Sequence, residues 1–134
     1  MTPGGSLTTL YSFDSTDGAY PSGGLVQETN GNLYGTSLYG GSNGDGTIFG
    51  LSIGLGPFVE TVPTSGRIGN SVIILGSNLK GVTSVTFNGT PASFKVVSGS
   101  LISTTVPAGA TTGPVQVVTP SGTLTSNVNF QVLP

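Results

Sequence analysis

Val72-Ile-Ile-Leu-Gly-Ser-Asn-Leu79, followed by Val85-Thr-Phe-Asn-Gly89, decides the fold of this chain. Val, Ile, Thr and Phe dominate both stretches. Such side chains lose rotamer freedom in a helix and pack well on a pleated surface. Ser71-Val-Ile-Ile-Leu-Gly76 reads as a continuous apolar run, the pattern of a strand buried on both faces. Gly76-Ser-Asn78 ends it. Asn88-Gly89 then joins two β-rich runs and tolerates positive φ at both positions, which predicts a type I′ hairpin.

The same grammar extends outward. No stretch carries helical periodicity, and Gly, Pro, Asn or Ser breaks the apolar runs at intervals of about 8–12 residues, as in an all-β chain. Asn30-Gly31 predicts a second tight hairpin, between Gly24-Leu-Val-Gln27 and Asn32-Leu-Tyr-Gly-Thr36. Pro120-Ser-Gly122 separates two further runs, and Val128-Asn-Phe130-Gln-Val132 alternates with period two. The inward positions predicted from these patterns are Val72, Ile74, Val85, Phe87, Val117, Phe130 and Val132.

Composition supports a folded chain and removes several functions. Of 134 residues, 23 are Gly and 9 are Pro, yet only 3 are basic and 5 acidic, for a net charge of −2. Disordered chains have the opposite balance of charge and large apolar residues. The charge leaves no basic footprint for nucleic acid. No apolar run is long enough to insert across a bilayer. Without His, Cys or Trp, the chain offers no thiol or imidazole catalysis, no disulfide and no ordinary zinc site.

Composition shifts near Gly54-Leu-Gly-Pro-Phe58. All four tyrosines precede that stretch and all three basic residues follow it. The predicted domains are therefore residues 1–56 and residues 57–134. The second contains about seven strand candidates, which suffices for an immunoglobulin-like sandwich. These are residues 58–62, 71–76, 82–87, 90–97, 101–106, 114–119 and 123–132.

Pro63-Thr-Ser-Gly66, Gly69, the two opening stretches, Val106-Pro-Ala-Gly-Ala-Thr-Thr-Gly-Pro114 and Val117-Val-Thr-Pro-Ser-Gly122 together resemble an IPT/TIG domain. The resemblance implies an immunoglobulin-like β-sandwich, used in cell-surface receptors, some transcription factors and many secreted bacterial proteins. DNA-contacting members need basic loops, and Arg67, Lys80 and Lys95 do not provide them.

The first half contains Leu7-Thr-Thr-Leu-Tyr-Ser-Phe13, Asp17-Gly18, Asn30-Gly-Asn-Leu-Tyr-Gly-Thr36 and Gly44-Asp-Gly-Thr-Ile-Phe49. In that order these motifs resemble one copy of the GloVer-type tandem repeat of secreted bacterial proteins. The resemblance implies a propeller-blade-like meander of about four strands, here residues 7–13, 24–28, 32–37 and 46–51. The fold class expected is thus all-β, a small blade-like meander followed by the sandwich. One blade alone has open edges and an uncovered face.

Motifs that suggest chemistry are weak. Ser77-Asn-Leu-Lys80 matches S-x-x-K, which as a serine-nucleophile motif should open a helix, whereas here it follows a strand. Asp14 and Asp17 stand in a Ser/Thr/Gly loop, where Asp side chains form turns by bonding nearby backbone N–H groups. The Ser42-Asn-Gly-Asp-Gly46 loop lacks the first acid and the closing Glu of a calcium loop; Gly41 and Ser52 stand there. Asn88-Gly-Thr90 is formally a glycosylation sequon, but Pro91 follows, and a hairpin turn is the reading adopted.

The expectation is a non-enzymatic extracellular or cell-surface module, structural or adhesive, that self-associates through residues 1–56 or spaces other domains. It has no catalytic residues, metal or cofactor. Export is implied by the resemblance and by low charge with Ser/Thr/Gly richness; Met1-Thr-Pro-Gly-Gly5 shows no signal-peptide pattern. The alternative is a carbohydrate-binding module with polysaccharide as partner. Its site would be Tyr20, Tyr39, Asp17, Asn43 and Asp45, because tyrosines beside Gly/Pro loops present their rings to ligands.

Overall fold

In the computed structural model, which describes Gly5 and residues 7–134, strands, turns and bends make up the described chain. Backbone contacts divide it into two units. The first runs up to Gln27 and resumes over Asn32–Ile53; the second takes Glu28–Gly31 and Gly54–Pro134.

The first unit is an antiparallel meander in the order β1-β2-β3, with β1 Val26–Gln27, β2 Leu33–Ser37 and β3 Thr47–Leu51. In the β2–β3 ladder Tyr34 faces Gly50 and Gly35 faces Phe49. Each aromatic ring lies over the glycine opposite, one on each face of the sheet. Residues 7–13, expected to be a fourth strand, join no ladder. Their rings pack instead: Tyr11 meets Phe13 edge-on at 5.4 Å, and Phe13 meets Phe49 at 4.8 Å.

Asn30-Gly31 is also not the tight two-residue hairpin expected. Gln27 pairs with Leu33, so five residues, 28–32, make the loop. The carbonyl oxygens of Leu55 and Gly56 come so close to Gly31 that no side chain fits there. Segment Glu28–Gly31 is thereby tied into the second unit. The Phe58 amide donates to the Thr29 carbonyl at 2.9 Å, and the Thr29 and Ser77 hydroxyls stand 2.8 Å apart.

The second unit is a sandwich. One sheet has the order β4-β6-β10-β9, from Glu60–Val62, Ser71–Leu75, Leu101–Thr105 and Phe94–Ser98. The other has the order β12-β11-β7-β8, from Gly122–Thr125, Val115–Thr119, Ser84–Phe87 and Thr90–Pro91. A short parallel ladder joins β13, Gln131–Val132, to β5, Ser65–Gly66.

Alternation builds the core. Val72 and Ile74 point inward from β6, Val85 and Phe87 from β7, Val115 and Val117 from β11. Phe130 is 1% exposed and meets Phe87 edge-on, centroids 5.1 Å apart. Full burial of such side chains stabilises by about 1.5–3 kcal/mol each. Six of the seven predicted core residues are buried; Val132 is half-buried and packs against the same cluster. Asn88 and Gly89 have φ of +46° and +86° between paired Phe87 and Thr90, the predicted hairpin.

Three strand readings are corrected. β6 is buried on one face only, since Ile73 between Val72 and Ile74 is exposed. Apolar residues on both faces do not by themselves supply a second covering layer. The 90–97 run divides at Ala92-Ser93, its halves joining opposite sheets. Pro91, which lacks a donor, ends the first half. The 123–132 run divides too, into β12 of the second sheet and β13 of the parallel ladder, and Val128 stays exposed.

Candidate functional site

Every hydrophobic side chain buried among the described residues, from Val59 to Phe130, belongs to the second unit. The first unit closes instead on hydrogen bonds. The Thr47 hydroxyl donates to the Asp17 carbonyl at 2.8 Å and stands 2.8 Å from the Ser37 hydroxyl, which also accepts the Thr47 amide at 2.9 Å. Leu10, Tyr11, Leu25 and Ile48 are left open to solvent, Ile48 with 82% of its surface exposed.

Beside these side chains runs an open groove of about 740 Å³, lined among others by Tyr11, Phe13, Asp17, Leu25, Ile48 and Phe49. The sequence reading missed it, because residues 7–13 were assigned to a ladder. The aromatic row at positions 11, 13 and 49 was the available signal. The Tyr11 hydroxyl donates to the Asp17 carboxylate. That bond, with the charge of Asp17 beside it, raises the Tyr11 phenol above its ordinary pKa.

Asp17 lines the groove, its carboxylate engaged by Tyr11, while its carbonyl accepts the Thr47 hydroxyl. Its other carboxylate oxygen accepts the Asp14 amide at 3.0 Å. Asp14 in turn accepts the Thr16 hydroxyl and amide, which hold its carboxyl below the usual carboxylate range. Both acids serve the turn that the sequence reading favoured for them.

Tyr20 and Tyr39 come together. The Ala19 amide donates to the Tyr39 carbonyl at 2.7 Å, the Tyr39 amide donates back at 3.2 Å, and the Leu38 amide donates to the Tyr20 carbonyl at 3.2 Å. The two rings stand 6.0 Å apart at 86°. Both are open to solvent, Tyr20 at 73% and Tyr39 at 56%. Tyr20 has φ of +56°, in the left-handed region that costs an ordinary residue about 1–2 kcal/mol. Asp45 bridges Gly40, the neighbour of Tyr39, and Asn43 sits on the same exposed loop. Tyr20, Tyr39, Asn43 and Asp45 thus gather at one end of the meander, where the Asp17 carbonyl also accepts the Thr47 hydroxyl.

Ser77 and Lys80 lie in the loop after β6, with Ser77 engaged by Thr29 rather than by Lys80.

The sequence pattern of the IPT/TIG domain matches residues 57–132. No curated protein matches the chain at a significant level. Among solved structures, an auxiliary nutrient binding protein from Bacteroides ovatus is 27% identical, with a TM-score of 0.48. That match covers 55% of this chain and 20% of the other. A gamma-CGTase from an alkalophilic Bacillus clarkii is 24% identical, with a TM-score of 0.44, covering 75% of this chain and 17% of the other. The chain thus spans about a fifth of the length of each of these proteins.

Proposed function

The chain belongs to the IPT/TIG domain family through residues 57–132, and from that premise we propose that it is a non-enzymatic module of an extracellular or cell-surface protein, joined to others through its first unit. The sandwich completes its own core and serves as a spacer. The first unit buries no hydrophobic side chain among the described residues and leaves a cluster of large ones in water. That contrast carries the proposal, because contiguous exposed apolar surface marks an interaction face.

The partner is a second copy of this chain. β3 is an edge strand with neither Lys, Arg nor Pro to discourage pairing. All three basic residues lie outside the first unit, and its acids are few, so like charges repel weakly between copies.

Sedimentation velocity over a range of concentrations tests this. The expected result is a reversible shift from monomer to a closed homo-oligomer. Ile48→Lys, at the exposed centre of the edge, should return the chain to monomer with the sandwich still folded. Lys at Thr47 is a poorer probe, since the Thr47 hydroxyl is needed inside the unit. A parent chain that stays monomeric throughout would overturn the proposal.

A further inference from the structure

Tyr20 occupies a backbone conformation that suits glycine or asparagine better, and its ring gains little burial in return. The strained position is nevertheless held firmly, by the three backbone bonds that pin residues 19–20 to residues 38–39. Held there, Tyr20 lies beside Tyr39, with ring planes at 86°. Two exposed rings set at a right angle on a pinned backbone make a seat for a flat, partly apolar ring. Strain held in place without burial is where a site is to be sought.

A polar loop follows the seat along the chain. Gly40 follows Tyr39 directly and bridges Asp45, and the Gly46 amide bonds the Gly40 carbonyl at 3.0 Å. This places the Asp45 loop at the edge of the corner. Its carboxylate accepts hydrogen bonds, and the Asn43 amide on the same loop both donates and accepts. Arg67, Lys80 and Lys95, the only basic side chains of the chain, all belong to the second unit.

We infer that the Tyr20–Tyr39 corner binds a neutral pyranose polysaccharide. One sugar ring lies with its C–H face on a tyrosine, and its hydroxyls donate to Asp45 and exchange bonds with Asn43. A ligand made of flat apolar rings alone would leave Asp45 without purpose. An acidic polysaccharide meets a carboxylate in a unit that holds no basic side chain of its own. The binding is shallow and open, so affinity is modest for one ring and grows along a chain of rings.

The probes are neutral hexasaccharides of glucose, xylose, mannose and N-acetylglucosamine, with hexagalacturonate as the acidic comparison, titrated into the intact chain. The Tyr20 and Tyr39 chemical shifts report the site, with tyrosine fluorescence, free of Trp, as a second signal. At least one neutral hexamer should bind in the millimolar range or tighter, and hexagalacturonate should not. Tyr39→Ala should weaken binding by about tenfold or more, Asp45→Asn by a few-fold, and Tyr39→Phe hardly at all.

Tyr20→Gly separates binding from folding. It relieves the backbone and removes the ring, so the melting temperature should hold or rise while binding is lost. A merely structural tyrosine would give the reverse. Absence of binding to every neutral hexamer, or binding indifferent to both tyrosines, would overturn the inference. Preference for hexagalacturonate would overturn it too.

Discussion

Tyr34 lies across Gly50, the residue directly opposite it in the β2–β3 ladder, with ring carbon Cε1 3.1 Å from where a side chain at position 50 would begin. One step along, and on the other face, Phe49 lies across Gly35 in the same way. Neither glycine leaves bare backbone, because the aromatic from the opposite strand covers it. In a unit that buries no hydrophobic side chain among its described residues, these two pairs do much of the packing.

Gly35→Val should therefore undo the first unit alone. A new Cβ would stand 2.6 Å from Phe49 Cζ and 2.8 Å from Leu25 Cδ2. Overpacking of this kind costs about 1–3 kcal/mol, a large share of what a three-stranded meander possesses. Amide spectra should lose the dispersed resonances of the first unit and keep those of the sandwich. Retention of the Phe49 shifts would show that the pair does not pack as described.

Phe130→Ala should cost the sandwich about 3–5 kcal/mol, the price of emptying a fully buried aromatic site. The Phe87 ring loses its edge-on neighbour at the same time. Calorimetry or urea titration reads the loss, and a variant that melts with the parent would remove Phe130 from the core.

Thr61→Val should stabilise. Thr61 on β4 is 2% exposed and its hydroxyl finds no hydrogen-bond partner in the structure. Val has the same shape without the unpaired group, so about 1–2 kcal/mol should be gained in urea denaturation. A loss instead would mean that the hydroxyl is bonded in solution.

Tyr11 should ionise above the ordinary phenol value. Its neutral phenol donates to Asp17, and its pKa is raised from 10.0. A raised folded-state pKa means that the contact supports the fold fully below pH 10 and is lost as pH rises through the elevated value. The Tyr11 ring shifts, followed against pH, should titrate late, and Asp17→Asn should bring that titration back towards 10.0. Asp14 has the opposite sign. Its lowered pKa makes the Asp14–Thr16 turn persist above the ordinary carboxylate value of 3.8 and loosen as acid takes pH below it.

The sandwich was legible because its signals are local and redundant. Val72, Ile74, Val85 and Phe87 alternate on an inward face, and Asn88-Gly89 carries the backbone signature of its turn. The divided strands were less legible. Nothing in Thr90–Pro91 and Phe94–Ser98 themselves says that they lie in opposite sheets, since that depends on which partner each half finds. Residues 7–13 failed for the same reason, as a β pattern is a strand only where a ladder receives it. At the candidate site, Tyr20 and Tyr39 were found through their Gly/Pro neighbours. Their meeting depends on the Ala19–Tyr39 bridge, which no spacing announces, nor does any spacing announce the Tyr11 bond to the Asp17 carboxylate.

The parallel β5–β13 ladder bears on how the sandwich responds to tension. The Gln131 amide bonds the Thr64 carbonyl at 3.0 Å and the Leu133 amide bonds the Gly66 carbonyl at 2.9 Å. A pull along β13 from residue 133 runs parallel to its neighbour, so it slides one strand past the other instead of peeling them apart. Both bonds must lengthen together before either gives way. Loaded in this direction, the latch yields in one abrupt event, and force spectroscopy from residue 133 should show a single rupture peak. Glycine at Val132 would leave both bonds in place and remove only the side chain packed behind them, so any fall in rupture force would measure what packing adds to shear.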